Sequence, residues 1–356
     1  MRLWNVVLGV VVGCSGGPAP GDDATPVDVR PPTHPVVEST SLGTVAPDGA
    51  TGVSLPVTFE VPDDAVSFLL VADGARGVTY GFDSLSAPDG TPLVPPGWSE
   101  RTDLPVCLEC KNRVLNERSA AALLDPIAPV SFVQGGRWTV RLRSEAPAAL
   151  RLLVKRAPGP VAEGVIDLRL HLTGSHGLTA ATAPSDPRLG SAIDGVRTIL
   201  AQSHIDVDLV TFVDIDPGLQ VIDADDLEDL FAARQGADDA VAVFLVSELT
   251  ASGTPLLGLT AVPGPAGPGT LRSGVALSSD PGIVVPLGGD PLGPAMAHEI
   301  GHYLGLFHTR ELQGAIFDPL ADTPEQSQDN LMTPDLRGTS LTPEQGSVAR
   351  NHPLVR

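Results

Sequence analysis

Positive charge is scarce in this chain of 356 residues, because 22 Lys and Arg stand against 43 Asp and Glu and give a formal net charge of -21. The acidic residues are spread along the chain rather than gathered in one tail. The folded part of the chain is therefore not expected to bind nucleic acid or anionic lipid. The chain is long enough for two domains, and its 42% of apolar residues are sufficient for packed cores.

A hydrophobic run long enough to span a bilayer is lacking at the start of the chain, where apolar residues extend only from Leu3 to Val12. Arg2 before this run and a small residue before Cys14 are typical of an export signal. Residues 11–14, Val-Val-Gly-Cys, resemble the bacterial lipobox, in which the signal is cut before a cysteine that is then lipidated. The resemblance implies a signal peptide over 1–14 and an outer-membrane lipoprotein, periplasmic or surface-exposed, that contacts the membrane only through its lipid. A plain secretory signal or a short anchor is the alternative.

Cysteine is nearly absent, and the two that remain after Cys14 form the pair Cys107 and Cys110. In an exported protein a Cys-x-x-Cys pair favours a local disulfide. A redox centre, half of a zinc site, or a thiolate that caps a zinc ion in a latent form are the alternatives.

The composition changes along the chain and predicts three segments after the signal. Residues 15–49 are rich in Pro, Gly, Asp and Thr without an apolar period, which predicts a disordered tether. Residues 50–160 contain short β-like runs between turn residues and predict a β-sandwich accessory domain. Trp98 and Trp138 are interpreted as core residues of that sandwich, with sugar stacking as the alternative.

Residues 161–356 alternate strand-like and helix-like periods, and residues 156–164 are the predicted boundary before them. This pattern predicts an α/β layer with a mixed sheet, so that the whole chain belongs to the α+β class. The strand predicted at 256–264 lies beside Gly and Pro residues, which favours a position at the sheet edge.

Three histidines and a glutamate are concentrated in residues 298–308. Prolines before residue 295 and none up to 309 allow a helix over 295–304, which places His298 and His302 on one face. Two such imidazoles can bind one Zn²⁺, and Glu299 can reach a water molecule on the open side of the ion. Gly305 can end the helix in a left-handed conformation, so that the chain turns and brings His308 back as the third ligand.

The motif His-Glu-x-x-His-x-x-Gly-x-x-His fixes five positions, and a chance match in a chain of this length is expected on the order of once in 10⁵ sequences. The alternatives are a surface helix with scattered histidines and a purely structural zinc site. Structural zinc sites are usually closed by a fourth protein ligand, which the motif does not supply.

The motif "HEIGHYLGLFHT", followed by "DPLADTP" and "DNLMTP", resembles the pappalysin-like branch of the metzincin metalloproteases over about residues 165–345. The resemblance implies a catalytic domain with a twisted mixed sheet, a zinc-binding active-site helix and a Met-turn at Met332 beneath the ligands. It implies a zinc endopeptidase that acts on protein or peptide substrates. It also implies an edge strand that pairs with an extended substrate, formed by Leu257, Gly258, Leu259, Thr260 and Ala261. An ordinary edge strand is the alternative.

Two departures from the family pattern concern residues near the predicted site. No cysteine occurs after Cys110, whereas many pappalysin-like domains carry disulfides near the loop between the third histidine and the Met-turn. No tyrosine follows Met332, and Tyr303 within the helix is interpreted as a packing residue.

Ca²⁺ is a further candidate cation, which several aspartates could bind, although aspartates are also the usual residues of turns and helix starts. The candidate ligands are Asp318 and Asp322 first, then Asp214, Asp216, Asp223, Asp225 and Asp226.

The sequence therefore predicts a zinc metalloendopeptidase in which Glu299 is the general base beside a zinc-activated water. Two alternatives stay open: a surface binding lipoprotein with a catalytically silent metzincin-like domain, and a latent enzyme that is blocked until cleavage. The sequence leaves the oligomeric state and the cleavage-site preference open.

Overall fold

Short strands separated by Gly, Pro and Asp turns form the first half of the fold, as their composition predicts. The computed structural model describes residues 34–97, 113–125, 133–236, 239–260, 264–280, 282, 289–310, 318–324, 327–336 and 338–356. The strands of this half are β1 (Val36–Val45), β2 (Val57–Val61), β3 (Ala65–Gly74), β4 (Thr79–Ser86), β5 (Pro92–Val94), β6 (Arg113–Arg118), β7 (Ala120–Asp125), β8 (Gly136–Ser144) and β9 (Ala148–Arg156). They form one nine-stranded sheet in the order β1-β9-β3-β7-β6-β4-β8-β2, with β5 paired to β4.

This sheet folds over on itself, so that strands far apart in its order face each other. The ring of Phe68 on β3 lies 5.6 Å from that of Phe59 on β2 and 5.1 Å from that of Trp138 on β8, both edge to face. Trp138 is only 2% exposed, and its indole N–H donates to the carbonyl of Gln134 at 2.9 Å. Trp138 is thus a core residue as predicted, whereas Trp98 lies outside the described residues.

The predicted disordered tether is wrong in its last part, because residues 36–45 form strand β1. This strand pairs antiparallel with β9 over its whole length, from Val36 opposite Arg156 to Val45 opposite Ala148. Most of its side chains are exposed, since it lies at the edge of the sheet, and the sequence therefore shows no apolar period.

Cys14, Cys107 and Cys110 lie outside the described residues, together with the predicted signal and disulfide.

The second half of the chain is an α/β layer, and the mixed sheet expected there is confirmed. Its five-stranded sheet has the order β11-β10-β13-β17-β16, in which all neighbours are parallel except β16, which is antiparallel to β17. A small second sheet has the order β12-β14-β15. The strands are β10 (Gly164–Leu172), β11 (Ile205–Asp214), β12 (Val221–Asp223), β13 (Val241–Val246), β14 (Glu248–Ala251), β15 (Thr254–Pro255), β16 (Gly258–Thr260) and β17 (Val275–Ser278).

Helices cover this sheet and supply the candidate site. They are α1 (Pro187–Ala201), α2 (Leu227–Ala232), α3 (Leu292–Tyr303) and α4 (Pro343–Asn351). Asp186 caps helix α1, since its carboxylate accepts the backbone N–H of Leu189, and the helix packs its apolar face against α3. No helix in the described ranges is long and apolar enough to cross a membrane. The protein is therefore an α+β structure in which sheets predominate.

The two halves share a core across the predicted boundary at residues 156–164. Residues 31–356 form one compact unit. The side chains of Leu69, Val71, Ala122, Leu124 and Leu153 from the first sheet belong to the same buried cluster as helices α1 and α3. The buried Nζ of Lys155 donates to the carbonyls of Arg350 at 2.5 Å and Val355 at 2.6 Å.

Candidate metal centre

Helix α3 is buried on nearly every side, which is unusual for a helix that carries so many ionisable residues. His298 is 4% exposed, Glu299 6% and His302 0%. Because charged groups are rarely buried without partners, the helix directs its polar side chains at an enclosed site rather than at solvent.

The end of α3 is shaped by Gly305, which has a φ of 100° as the sequence predicts. The N–H of Leu306 donates to the carbonyl of Gly301, and the N–H of Gly305 donates to that of His302, both at 2.9 Å. These two bonds form a Schellman motif, which requires a left-handed residue at the position of Gly305. The reversal of the chain brings His308 next to the helix.

The three histidines meet through their Nε2 atoms. His298 Nε2 lies 3.2 Å from His308 Nε2, and His302 Nε2 lies 3.1 Å from each of the other two. Among the described residues, they are the group of His, Cys, Asp and Glu side chains that could hold a metal ion.

Hydrogen bonds at the opposite ring nitrogens determine the tautomers of two of these histidines. His298 Nδ1 lies 2.7 Å from the carbonyl of Leu331, and His302 Nδ1 lies 2.8 Å from that of Leu306. A carbonyl only accepts, so each Nδ1 carries the proton and each neutral ring presents a lone pair at Nε2. Two lone pairs thus converge with the ring of His308, an arrangement that a shared cation stabilises.

The spacing and the protonation state both fit Zn²⁺. Two imidazole nitrogens on a tetrahedral zinc ion are expected roughly 3.3 Å apart, given Zn–N distances of about 2.0–2.1 Å. Burial, with a further contribution from His308, lowers the pKa of His298 to about 3, and the same causes lower the pKa of His302 well below its usual value. Both rings are therefore neutral at pH 7, as metal ligands must be.

Glu299 lies against strand β16, beside Gly258. Burial raises the pKa of its carboxyl to about 8, opposed by a hydrogen bond from the backbone N–H of Thr260. Its Oε2 is buried and has no hydrogen-bond partner among the described residues. A cation held by the histidines would oppose the effect of burial on this pKa.

Met332 lies directly beneath the helix. It is fully buried, and a Cβ added to Gly301 would stand 2.8 Å from its sulfur, so the absence of a side chain at Gly301 admits the thioether. The carbonyl of Met332 accepts the N–H of Thr309, the residue after His308, at 2.9 Å. The structure thus brings Met332 together with the histidine cluster.

The predicted substrate strand is described from Leu257 to Thr260, whereas Ala261 lies outside the described residues. Gly258, Leu259 and Thr260 form β16, at the end of the sheet order and paired on one side with β17. Leu257 is buried, and its carbonyl accepts the N–H of Ser278. The segment borders Glu299, as an edge strand beside the site would.

Several of the aspartates expected as calcium ligands serve as caps and turn acceptors. Asp322 accepts from the N–H of Glu344 and the hydroxyl of Thr342 at the start of α4, and Asp216 accepts from Gly218. In the part of the chain that the structure describes, acids form no cluster that could hold a metal ion. Tyr303 is a packing residue as predicted, since its buried hydroxyl meets that of Ser273 at 2.9 Å.

Sequence analysis missed two residues near the site, Asn330 and Gln345, whose buried amides bond to each other. One signal for Gln345 was present. Thr342 and Gln345 have the spacing of a capping box, and both of its hydrogen bonds form at the start of α4. Nothing in the spacing indicates that Gln345 also meets Asn330.

Comparison with known proteins gives little. No protein-family model matches the chain, and no curated protein matches it. A Bacillus licheniformis lipase in its propeptide form has a TM-score of 0.21 and 10% identity, over 35% of this chain and 22% of the lipase. The Bacillus subtilis protein YXIM has a TM-score of 0.18 and 10% identity, over 59% of this chain and 55% of its own. A family two carbohydrate esterase from Clostridium thermocellum has a TM-score of 0.16 and 10% identity, over 60% and 65%.

These comparisons correct the predicted enzyme class. A metzincin-type zinc metalloendopeptidase was expected, but the solved structures found include a lipase and a carbohydrate esterase, which are hydrolases of another class. The metzincin-type metalloendopeptidase class is therefore dropped. TM-scores this low assign the chain to neither a lipase nor an esterase fold, and they carry no argument about its substrate.

Proposed function

We propose that this protein is a metal-dependent hydrolase whose site consists of His298, His302, His308 and Glu299. The observation that carries the proposal is the convergence of three Nε2 atoms within 3.1–3.2 Å of one another, with a buried carboxylate on the next residue of the same helix. Zinc is the proposed ion, since imidazole ligands and a tetrahedral spacing suit it.

The metal ion and Glu299 have separate roles in the proposed hydrolysis. His298, His302 and His308 would hold the Zn²⁺, which would supply a Lewis acid for a carbonyl group and for a water molecule at neutral pH. Glu299 accepts the proton from the attacking water and passes it to the leaving group. The N–H of Thr260 holds the carboxylate in place.

Esters and amides both present the carbonyl that such a site attacks. The hypothesis of a peptide substrate depends on the edge strand β16, which lies next to Glu299 and ends the sheet. An extended peptide could add to this edge through backbone hydrogen bonds. Peptide bonds and acyl esters are therefore the two classes that the experiment must compare.

We also propose the finer description of the fold, a β-sandwich followed by a domain with a metzincin-like active-site helix and Met-turn. The facing aromatic rings of Phe59, Phe68 and Trp138 support the sandwich. The contact between Gly301 and Met332 supports the turn beneath the helix. The proposal of an outer-membrane lipoprotein anchored at Cys14 depends on the sequence alone.

The test is hydrolysis by the full chain, loaded with zinc and offered panels of peptides and of acyl esters. Glu299→Gln is expected to keep about one zinc per chain while hydrolysis falls by about 10²–10⁴-fold, because the glutamate is a base and not a ligand. Glu228→Gln is the matched control, since Glu228 is also a buried acid of a helix but bonds to Gly77.

Two outcomes would contradict the proposal. Wild-type protein that binds zinc but cleaves neither panel would favour a surface binding protein with a silent zinc domain. Equal hydrolysis by wild type and Glu299→Gln would remove Glu299 from the mechanism.

A further inference from the structure

We infer that Asn330 and Gln345 are positioning residues, which hold the carbonyl of Leu331 against His298 and thereby orient a metal ligand. This inference rests on the proposed function, because it assigns His298 to the metal centre. Neither amide touches the histidines, so both act through the backbone of the turn at residues 330–333.

The two side chains form a reciprocal pair. Asn330 Nδ2 donates to Gln345 Oε1 at 2.8 Å, and Gln345 Nε2 donates to Asn330 Oδ1 at 3.2 Å. Asn330 is 3% exposed and Gln345 is 0% exposed. A buried amide that loses its partner costs free energy, so each side chain restrains the other to one orientation.

Asn330 passes this restraint to the turn. Its Oδ1 accepts the N–H of Met332 at 2.8 Å, and its backbone carbonyl accepts the N–H of Thr333 at 3.2 Å. On the other side, the N–H of Leu331 donates to the carbonyl of Ser340 at 2.7 Å. The N–H groups of the turn are thus occupied, and the carbonyl of Leu331 faces His298 Nδ1 at 2.7 Å.

Gln345 is itself fixed by the start of α4. Its Oε1 accepts the N–H of Thr342 at 3.0 Å, and its own N–H donates to the hydroxyl of Thr342 at 3.2 Å. The capping box therefore connects the first turn of α4 to Asn330, and Asn330 connects it to Leu331. The chain of contacts ends at a metal ligand.

A hydrogen bond to the far nitrogen of a ligating imidazole fixes its tautomer and its ring orientation, and loss of such a partner typically weakens metal binding by about 10–100-fold. Helix α3 already restrains the backbone of His298. Its ring can still rotate about the side-chain bonds, and the carbonyl of Leu331 is the contact that limits this rotation.

The experiment measures zinc affinity by chelator competition and the absorption spectrum of the cobalt-substituted full chain. Asn330→Leu keeps the size of the side chain but removes its polar atoms, and it is expected to weaken zinc binding about 10–100-fold and to shift the cobalt bands. Asn330→Asp keeps the acceptor for Met332 and should stay closer to wild type than Asn330→Leu. Asp186→Ala is the control, because it removes the cap of helix α1 and leaves the contacts from α4 to Leu331 in place.

Asp186→Ala is expected to lower the melting temperature while zinc affinity stays within about twofold of wild type, since no contact of a metal ligand is lost. Should Asn330→Leu fail to fold, Gln345→Met carries the same expectation, because it removes the partner that holds the Asn330 amide in one orientation. Equal zinc affinity and equal cobalt spectra in all variants would overturn this inference and leave the proposed function intact. Wild-type protein that binds no zinc would overturn both.

Discussion

The carboxylate of Glu299 lies against the backbone of Gly258, close enough that no side chain fits between them. A Cβ at Gly258 would stand 2.7 Å from Glu299 Cγ and 2.8 Å from its Oε1. The backbone N–H of Thr260, on the same strand, donates to the same carboxyl group. Strand β16 therefore determines where the proposed base can lie.

Gly258→Ala is expected to displace the carboxylate of Glu299 and to lower hydrolysis by at least about tenfold, because a shift of 1 Å in a catalytic group can cost about 10²-fold. Zinc content should stay at the wild-type level, since the histidines are not touched. Steady-state kinetics with metal analysis measures both. Unchanged kinetics in a folded Gly258→Ala protein would contradict the proposed position of the base.

Gly305→Ala is expected to destabilise the fold by about 1–2 kcal/mol, because a φ of 100° is unfavourable for any residue with a Cβ. It should also weaken zinc binding, since the same turn carries the carbonyl that bonds to His302 and leads to His308. Thermal unfolding and zinc titration measure the two effects.

Gly190→Ala is the control for that substitution. Gly190 is exposed on helix α1 with open space around it, so alanine should stabilise the protein by roughly 0.5–1 kcal/mol without a change in zinc affinity. Equal behaviour of the two alanine variants would show that the left-handed turn is not required.

Lys155 predicts a pH dependence of stability. Burial, with a contribution from Arg350, lowers its pKa to about 7 from an ordinary value of 10.5. Between pH 7 and 10.5 the unfolded chain binds this proton and the folded chain does not, so Lys155 makes unfolding free energy rise with pH by up to about 1.4 kcal/mol per unit. Chemical denaturation of wild type and Lys155→Met between pH 7 and 9.5 measures the difference. Parallel curves would contradict this pKa.

The second half of the chain is not expected to fold alone. Removal of residues 1–160 would expose the core side chains that pack against Leu69, Val71 and Leu153, and would delete the Nζ of Lys155 that donates to the carbonyls of Arg350 and Val355. We expect residues 161–356 to aggregate or to lack a cooperative unfolding transition. A soluble fragment with the zinc affinity of the full chain would contradict the shared core.

The helix of the site was predictable because its signals are local. The prolines before residue 295 and their absence up to 309 indicated the helix, Gly305 indicated its end, and both signals lie within a few turns of the site. The pair of Asn330 and Gln345 was not predictable, because 15 residues separate the two amides and the contact depends on where α4 packs.

The core that the two halves share has a signal in the sequence, which the prediction of a β-sandwich did not use. Strand β3 has eight buried residues in succession, from Ala65 to Ala72, and all six residues of β7 are buried. A strand with one face in water alternates, whereas a continuous apolar run indicates that both faces are covered. Strand β1 was not predicted for the opposite reason, because an exposed edge strand has no apolar pattern to detect.

X-ray absorption at the zinc edge of the full chain, loaded with one equivalent of Zn²⁺, tests the central claim most directly. The account predicts a shell of nitrogen and oxygen neighbours at about 2.0–2.1 Å, with the outer scattering of three imidazole rings that falls to two in His302→Ala. Sulfur neighbours at about 2.3 Å, or a zinc shell that His302→Ala leaves unchanged, would contradict it.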